Sequence, residues 1–266
     1  MSIEEVREIN KAWEQFFQDI YDPNENGDYT SYWHYEPFSD GYWNEKQKIV
    51  FCNVEAHGSN YKNCVMKLEN VQELITKNKK TAPSLIRSAL FLYCLYKKLH
   101  GITVTEEKLA EMEKQGKLSK NYDELLDGIK NTTYMNLRKE ENITGKSKED
   151  KDGLRNSLVP GLKYKNDNDP KNYEYNEYNR KLTLEFIDAL EPDIFIITGE
   201  LGWDVLKKIY KDKIELHKLP KWGMYKTAKT LYVSMEHPSP LSIPSIDEWI
   251  KLIVDKAGKI YEELQK

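Results

Sequence analysis

Apolar residues along this chain follow two rhythms. Ile3, Val6, Ile9, Trp13, Phe16, Phe17 and Ile20 recur at helical spacing and predict a helix over 3–20 with one buried face. Short, nearly unbroken apolar runs predict strands at Lys48–Val54, Asp193–Thr198 and Lys229–Met235, and the β-rich Thr132–Leu137 adds another. Thr81–His100 reads as a helix with Pro83 in its first turn and Gly101 as its stop. Further helices are expected at Leu68–Lys77, 105–115, 121–130, Lys181–Leu190, 201–211 and Ile246–Leu264. Strands alternate with helices, which predicts an α/β fold with a mainly parallel sheet.

Two stretches break the rhythm. Residues 21–44 mix Asp, Asn and Gly with Tyr29, Tyr32, Trp33, Tyr35, Phe38, Tyr42 and Trp43. They read as a loop anchored by buried rings. Residues 140–180 are polar with little periodicity, and a loop that long is usually functional or disordered. No internal repeat is present. The chain is expected to form a single domain over 1–266, with a helical and aromatic extension at 1–45 and an insertion at 140–180.

Composition narrows the class. Apolar residues make up 39% and charged residues 32%, and no apolar run approaches the ~20 residues that span a bilayer. The acidic start, Met1-Ser2-Ile3-Glu4-Glu5, has no signal-peptide character, so a cytoplasmic protein without a membrane partner is expected. Cys52, Cys64 and Cys94 show no C-x-x-C spacing and are read as reduced thiols, with no metal, iron–sulfur cluster or other cofactor. The net charge is −4 and the pI about 5.9. Binding to nucleic acid then rests on a local patch, with weak non-specific affinity and strong salt dependence. A monomer is expected.

The densest chemistry lies at 236–242, Glu-His-Pro-Ser-Pro-Leu-Ser, between the last strand and the last helix. Pro238 and Pro240 fix the backbone on either side of Ser239 and remove two amide donors. His237, Ser239 and Leu241 are thereby held at a rigid strand-to-helix corner. In α/β sheets, ligands bind beyond such carboxyl ends. Glu55 with His57, and Asn136, follow or end two other strands, so a parallel sheet brings all three places to one edge.

This run resembles the His-Pro-Ser-Pro-Leu-Ser motif of the uracil-DNA glycosylase superfamily. Ala82-Pro83-Ser84-Leu85 is similar to that family's Pro-Pro-Ser-Leu helix start, Asn136-Leu137-Arg138-Lys139 to its Asn-x-x-Lys variant, and Asp193–Gly199 to its third strand and glycine. The order is kept over roughly residues 45–245. The first motif departs from the family's Gly-Gln-Asp-Pro-Tyr. In one register of Asn53-Val54-Glu55-Ala56-His57, Glu55 replaces the catalytic Asp and His57 the Tyr that excludes thymine. In another, Val54–Gly58 resembles the Gly-Glu-Ala-Pro-Gly of the iron–sulfur branch, whose four cysteines are absent.

The resemblance implies a three-layer α/β/α domain around a central, mainly parallel four-stranded sheet. It also implies hydrolysis of the N-glycosidic bond of uracil, or another deaminated base, in damaged DNA, without metal or cofactor. Glu55 and His237 would be catalytic. Asn136, His57, Ala56 and Tyr61 would bind the base, Tyr61 by stacking. Ser84, Ser239, Leu241, Ser242, Arg138 and Lys139 would contact DNA. The residue types suit the chemistry. Breaking C1′–N builds positive charge on the sugar, which a carboxylate stabilises, and negative charge on the base, which a His N–H can meet. An Asn offers both a donor and an acceptor to a flipped base, and Leu241 can act as a wedge. Two rivals stand beside this reading: an inactive member that only binds nucleic acid or protein, and an enzyme with altered base specificity or one acting on free nucleosides.

Overall fold

A computed structural model describes residues 3–20, 33–53, 56–57, 64–66, 68–69, 83–115, 120–136, 141–142, 170–210, 218, 220–239 and 242–266. In chain order the elements are α1 (Ile3–Ile20), β1 (Trp33–Tyr35), β2 (Ile49–Asn53), β3 (Ala56–His57), β4 (Cys64–Met66), α2 (Pro83–Leu99), α3 (Glu106–Gln115), α4 (Lys120–Ile129) and β5 (Thr133–Asn136). They continue with β6 (Glu141–Asn142), α5 (Pro170–Leu190), β7 (Ile194–Thr198), α6 (Gly199–Ile209), β8 (Met224–Lys226), β9 (Leu231–Met235) and α7 (Ile246–Gln265).

The central sheet runs β5-β2-β7-β9-β8. Its first four strands are parallel and are the four predicted from sequence. Among the described residues the sheet has five strands rather than four, because β8 pairs antiparallel with β9 at one edge. Met224-Tyr225-Lys226 escaped the sequence reading for a physical reason. It is three residues long and only partly buried, so it carries neither an apolar run nor alternation.

Every residue of β2, β7 and β9 is buried, as expected of parallel strands covered on both faces. On one face Phe51 packs against Phe91 of α2, with centroids 5.9 Å apart, and against Tyr134 of β5 at 6.0 Å. On the other, Tyr232 meets Phe195 and Tyr210, the residue that follows α6. Trp13 of α1 packs on Phe186 of α5 at 5.4 Å, adding the N-terminal helix to the helical cover. The arrangement is α/β, with helices on both sides of the sheet.

Helix boundaries follow local chemistry. Ser245 caps α7, its Oγ accepting from the Glu248 amide at 3.3 Å, with the acidic residue in the third helical position. Helix α5 ends before Glu191, which has φ 46°, and Pro192 follows. That helix begins at Pro170, not Lys181, so its first turns occupy the end of the stretch expected to be a polar loop. The aromatic segment before β2 is anchored as expected but is not all loop, since it carries β1 and a 3-10 helix at Asp40–Asn44: Tyr35 and Tyr42 are fully buried, and the Tyr42 hydroxyl donates to the Leu190 carbonyl at 2.8 Å. Its far end is held by Glu45, whose Oε1 accepts from Asn131 Nδ2 at 2.6 Å and from the Tyr96 hydroxyl at 3.0 Å. Of the helix expected at Leu68–Lys77, only Leu68 and Glu69 are described, and both are helical.

Phe51 is fully buried among the rings of two other elements. Phe51→Ala is expected to cost about 3–5 kcal/mol. In urea unfolding this appears as a lower midpoint with an unchanged slope.

Candidate active site

The register of the sheet sets the site. Asn53 pairs with Asn136, Cys52 with Ile197, and Thr198 with Met235. The carboxyl ends of β5, β2, β7 and β9 therefore form one row: Asn136, Asn53, Thr198, Met235. What leaves that row is what the sequence singled out. Glu55 lies two residues past Asn53, Gly199 one past Thr198, and His237 two past Met235. Beyond the row, β3 pairs in parallel with β6, Ala56 opposite Glu141 and His57 opposite Asn142. The backbone of the first motif thus lies against the start of the polar insertion, a neighbour the sequence did not reveal.

The corner after β9 is described up to Ser239 and again from Ser242. His237 and Ser239 are half-buried and Pro238 is buried. The Ser239 amide donates to His237 Nδ1 at 3.1 Å. A ring nitrogen that accepts carries no proton, so the neutral ring holds its proton on Nε2. The Ser239 carbonyl then accepts from the amides of Ser242 at 2.9 Å and Ile243 at 3.1 Å, closing the turn. Gly199 faces this histidine: at φ 76°, a Cβ placed on it would lie 3.4 Å from His237 Cβ and 3.6 Å from Cδ2.

Arg87 ties the corner to α2. Its guanidinium is buried and donates to the carbonyls of Ile243 at 2.5 Å and Pro244 at 3.3 Å. Burial lowers its pKa from the usual arginine value. Arg87 is three residues from Ser84, and its own carbonyl accepts from Trp249 Nε1 of α7 at 3.2 Å. The segment carrying the exposed Ser242 and the first turn carrying the half-buried Ser84 are thereby joined. These two serines are DNA-contact candidates from two separate motifs.

Sequence reasoning missed a buried polar seam beneath the row. Asn53, 4% exposed, donates from Nδ2 to the Tyr134 hydroxyl at 2.7 Å, and its Oδ1 accepts from the Thr198 hydroxyl. Burial pushes the Tyr134 hydroxyl up to about 12, so it stays neutral and can accept. The signal was a polar residue closing each of two apolar runs, Ile-Val-Phe-Cys-Asn and Ile-Phe-Ile-Ile-Thr. A second missed feature is Lys256 of α7. It is buried, its Nζ donates to the Trp222 carbonyl at 3.1 Å, and its pKa is lowered by burial while the nearby Glu236 carboxylate opposes that shift.

Glu55, Tyr61, Arg138, Lys139 and Leu241 lie outside the described residues, and for Ala56, His57 and Asn136 only the backbone is described. Cys52 and Cys94 are buried and form no disulfide; burial pushes the Cys94 thiol up to about 11. Among the described residues, no group of three or more His, Cys, Asp or Glu side chains is arranged to hold a metal. No helix among them is long and apolar enough to cross a membrane. Compared with known proteins, the chain matches no family model and no curated protein sequence.

Gly199 and Gly258 make a matched test. Gly199→Ala forces a side chain into the left-handed region and is expected to cost about 1–2 kcal/mol. Gly258, inside α7 with open space where its Cβ would be, has no such constraint. Gly258→Ala should stabilise by roughly 0.5–1 kcal/mol. Chemical denaturation of the two variants reads both signs.

Proposed function

We propose that this protein is a glycosylase of the uracil-DNA glycosylase type, hydrolysing the bond between deoxyribose and a deaminated base, uracil first among them, in DNA. The observation that carries the reading is the hydrogen bond from the Ser239 amide to His237 Nδ1. It makes the imidazole a donor through Nε2, and a base leaving as an anion needs such a donor on its carbonyl oxygen. The proline-framed corner holds that donor rigid, so no reorganisation is required as charge develops.

The remaining roles follow from chain position. Glu55, two residues past the end of β2, stabilises the positive charge on the sugar and orients a water. The C1′–N bond breaks with its electron pair going to the base. The water oxygen bonds to C1′, and the water's proton balances the charge on the departing base. Asn136, in the same row, reads the flipped base through an amide that both donates and accepts. His57 and Ala56 line the base side, and Tyr61 supplies the stacking ring. Ser84, Ser239 and Ser242 hold phosphates beside the lesion, with Arg138 and Lys139 adding charge, and Leu241 fills the gap left by the flipped nucleotide. The row of strand ends supports this assignment, because the strands that lead into the first motif, Asn136, Gly199 and His237 end there side by side.

A second reading, binding without catalysis, draws on the changed first motif and on the net charge of −4. One experiment separates the two. Single- and double-stranded oligonucleotides carrying uracil, hypoxanthine or xanthine are incubated with the protein at low salt, and strand scission is read after alkali. The glycosylase reading expects release at one lesion, lost in His237→Ala, with Glu55→Gln losing turnover while retaining binding by anisotropy. Binding without release from any substrate would establish the second reading.

A further inference from the structure

The seam under the site has a pattern that packing alone does not require. Ile49 and Phe51, alternate residues on the same strand, fill their positions with apolar side chains. A buried amide at Asn53 must instead recover its lost hydration through hydrogen bonds, and an unmade bond there is costly. Both halves of the amide are used, each on a different strand: Nδ2 on Tyr134 of β5, Oδ1 on Thr198 of β7. Thr198 also reaches back to the Cys52 carbonyl at 3.5 Å. Hydrogen bonds are directional where apolar contacts are not, so this seam sets the height of three strand ends relative to one another.

Each member stands directly upstream of a candidate site element. Tyr134 is two residues before Asn136, Asn53 two before Glu55, and Thr198 one before Gly199, whose Cα faces His237. We infer that Asn53 and Thr198 are positioning residues: the amide–hydroxyl seam fixes the carboxylate side of the site against the histidine side. The inference rests on the glycosylase reading for its kinetic consequence, but not for its structural one. A seam that only stabilised the sheet would change folding and leave the alignment of the site untouched.

Thr198→Val keeps the shape and removes the hydroxyl, whereas Thr198→Ser keeps the hydroxyl and removes a methyl. With wild-type enzyme and a uracil oligonucleotide, Thr198→Val is expected to lower kcat about tenfold to a hundredfold, the loss expected of an ångström-scale misplacement. KM should stay within about twofold, since binding contacts are unchanged, and Thr198→Ser should recover most of the lost kcat. Tyr134→Phe, which takes the acceptor from Asn53 Nδ2, should repeat the kcat loss. A second readout needs no turnover: the ring resonances of His237, assigned by their loss in His237→Ala, should shift in Thr198→Val and Tyr134→Phe and stay near wild type in Thr198→Ser. Equal kcat and an unmoved His237 signal in Thr198→Val would overturn the positioning role. A wild-type protein that releases no base, but whose His237 signal follows the pattern, would overturn the glycosylase reading and leave the positioning role standing.

Discussion

One buried amide joins the ends of three neighbouring strands, and the candidate site depends on it. Parallel strands can end at different heights, because nothing in their hydrogen-bond ladder marks where the ladder stops. Here the ends are level. Asn53 bonds Tyr134 and Thr198 on either side, and the row continues to Met235 through strand pairing. A level edge makes four separate parts of the chain leave the sheet side by side.

Around that edge the molecule spends rigidity in few places. The His237 corner is stiffened by Pro238, by an amide bonded to the imidazole and by a closed turn at Ser239. Arg87 then carries the rigidity outward, holding the exit of the corner against the start of α2. Trp249 anchors α7 to the same place through the Arg87 carbonyl. Each link is a hydrogen bond to a buried or half-buried group, where the loss of one partner strands the other. Such a chain of contacts fixes a histidine more firmly than its position on a loop would suggest.

The sequence exposed this design unevenly. Three of the parallel strands were legible because burial on both faces writes them as apolar runs such as Ile-Phe-Ile-Ile-Thr, and β5 was legible from its β-rich residues. Helix α2 was legible from Pro83 and Gly101 at its ends, and α7 from its periodicity. Strand β8 was not, since an edge strand of three residues, none of them buried, leaves no pattern. The first turns of α5 were hidden in a run of Asn, Glu and Tyr whose apolar content is too low to show a face. The His237 corner declared itself through proline spacing. The Asn53 seam did not, because its three members are far apart in sequence and only the pairing register makes them neighbours.

The short antiparallel strand at the sheet's edge carries a consequence for life in a crowded solution. An open, flat border of unpaired amides invites the border of another molecule, and repeated pairing of that kind grows into fibres. Strand β8 offers only three residues there, and Lys226 is folded back so that its ammonium meets the Glu263 carbonyl of α7 at 3.2 Å. Just before the strand, the chain turns at Trp222 with φ 59°, bending away from a straight continuation. A charged, abbreviated and bent border is a poor template, so the side of the sheet remote from β5 is guarded against polymerisation.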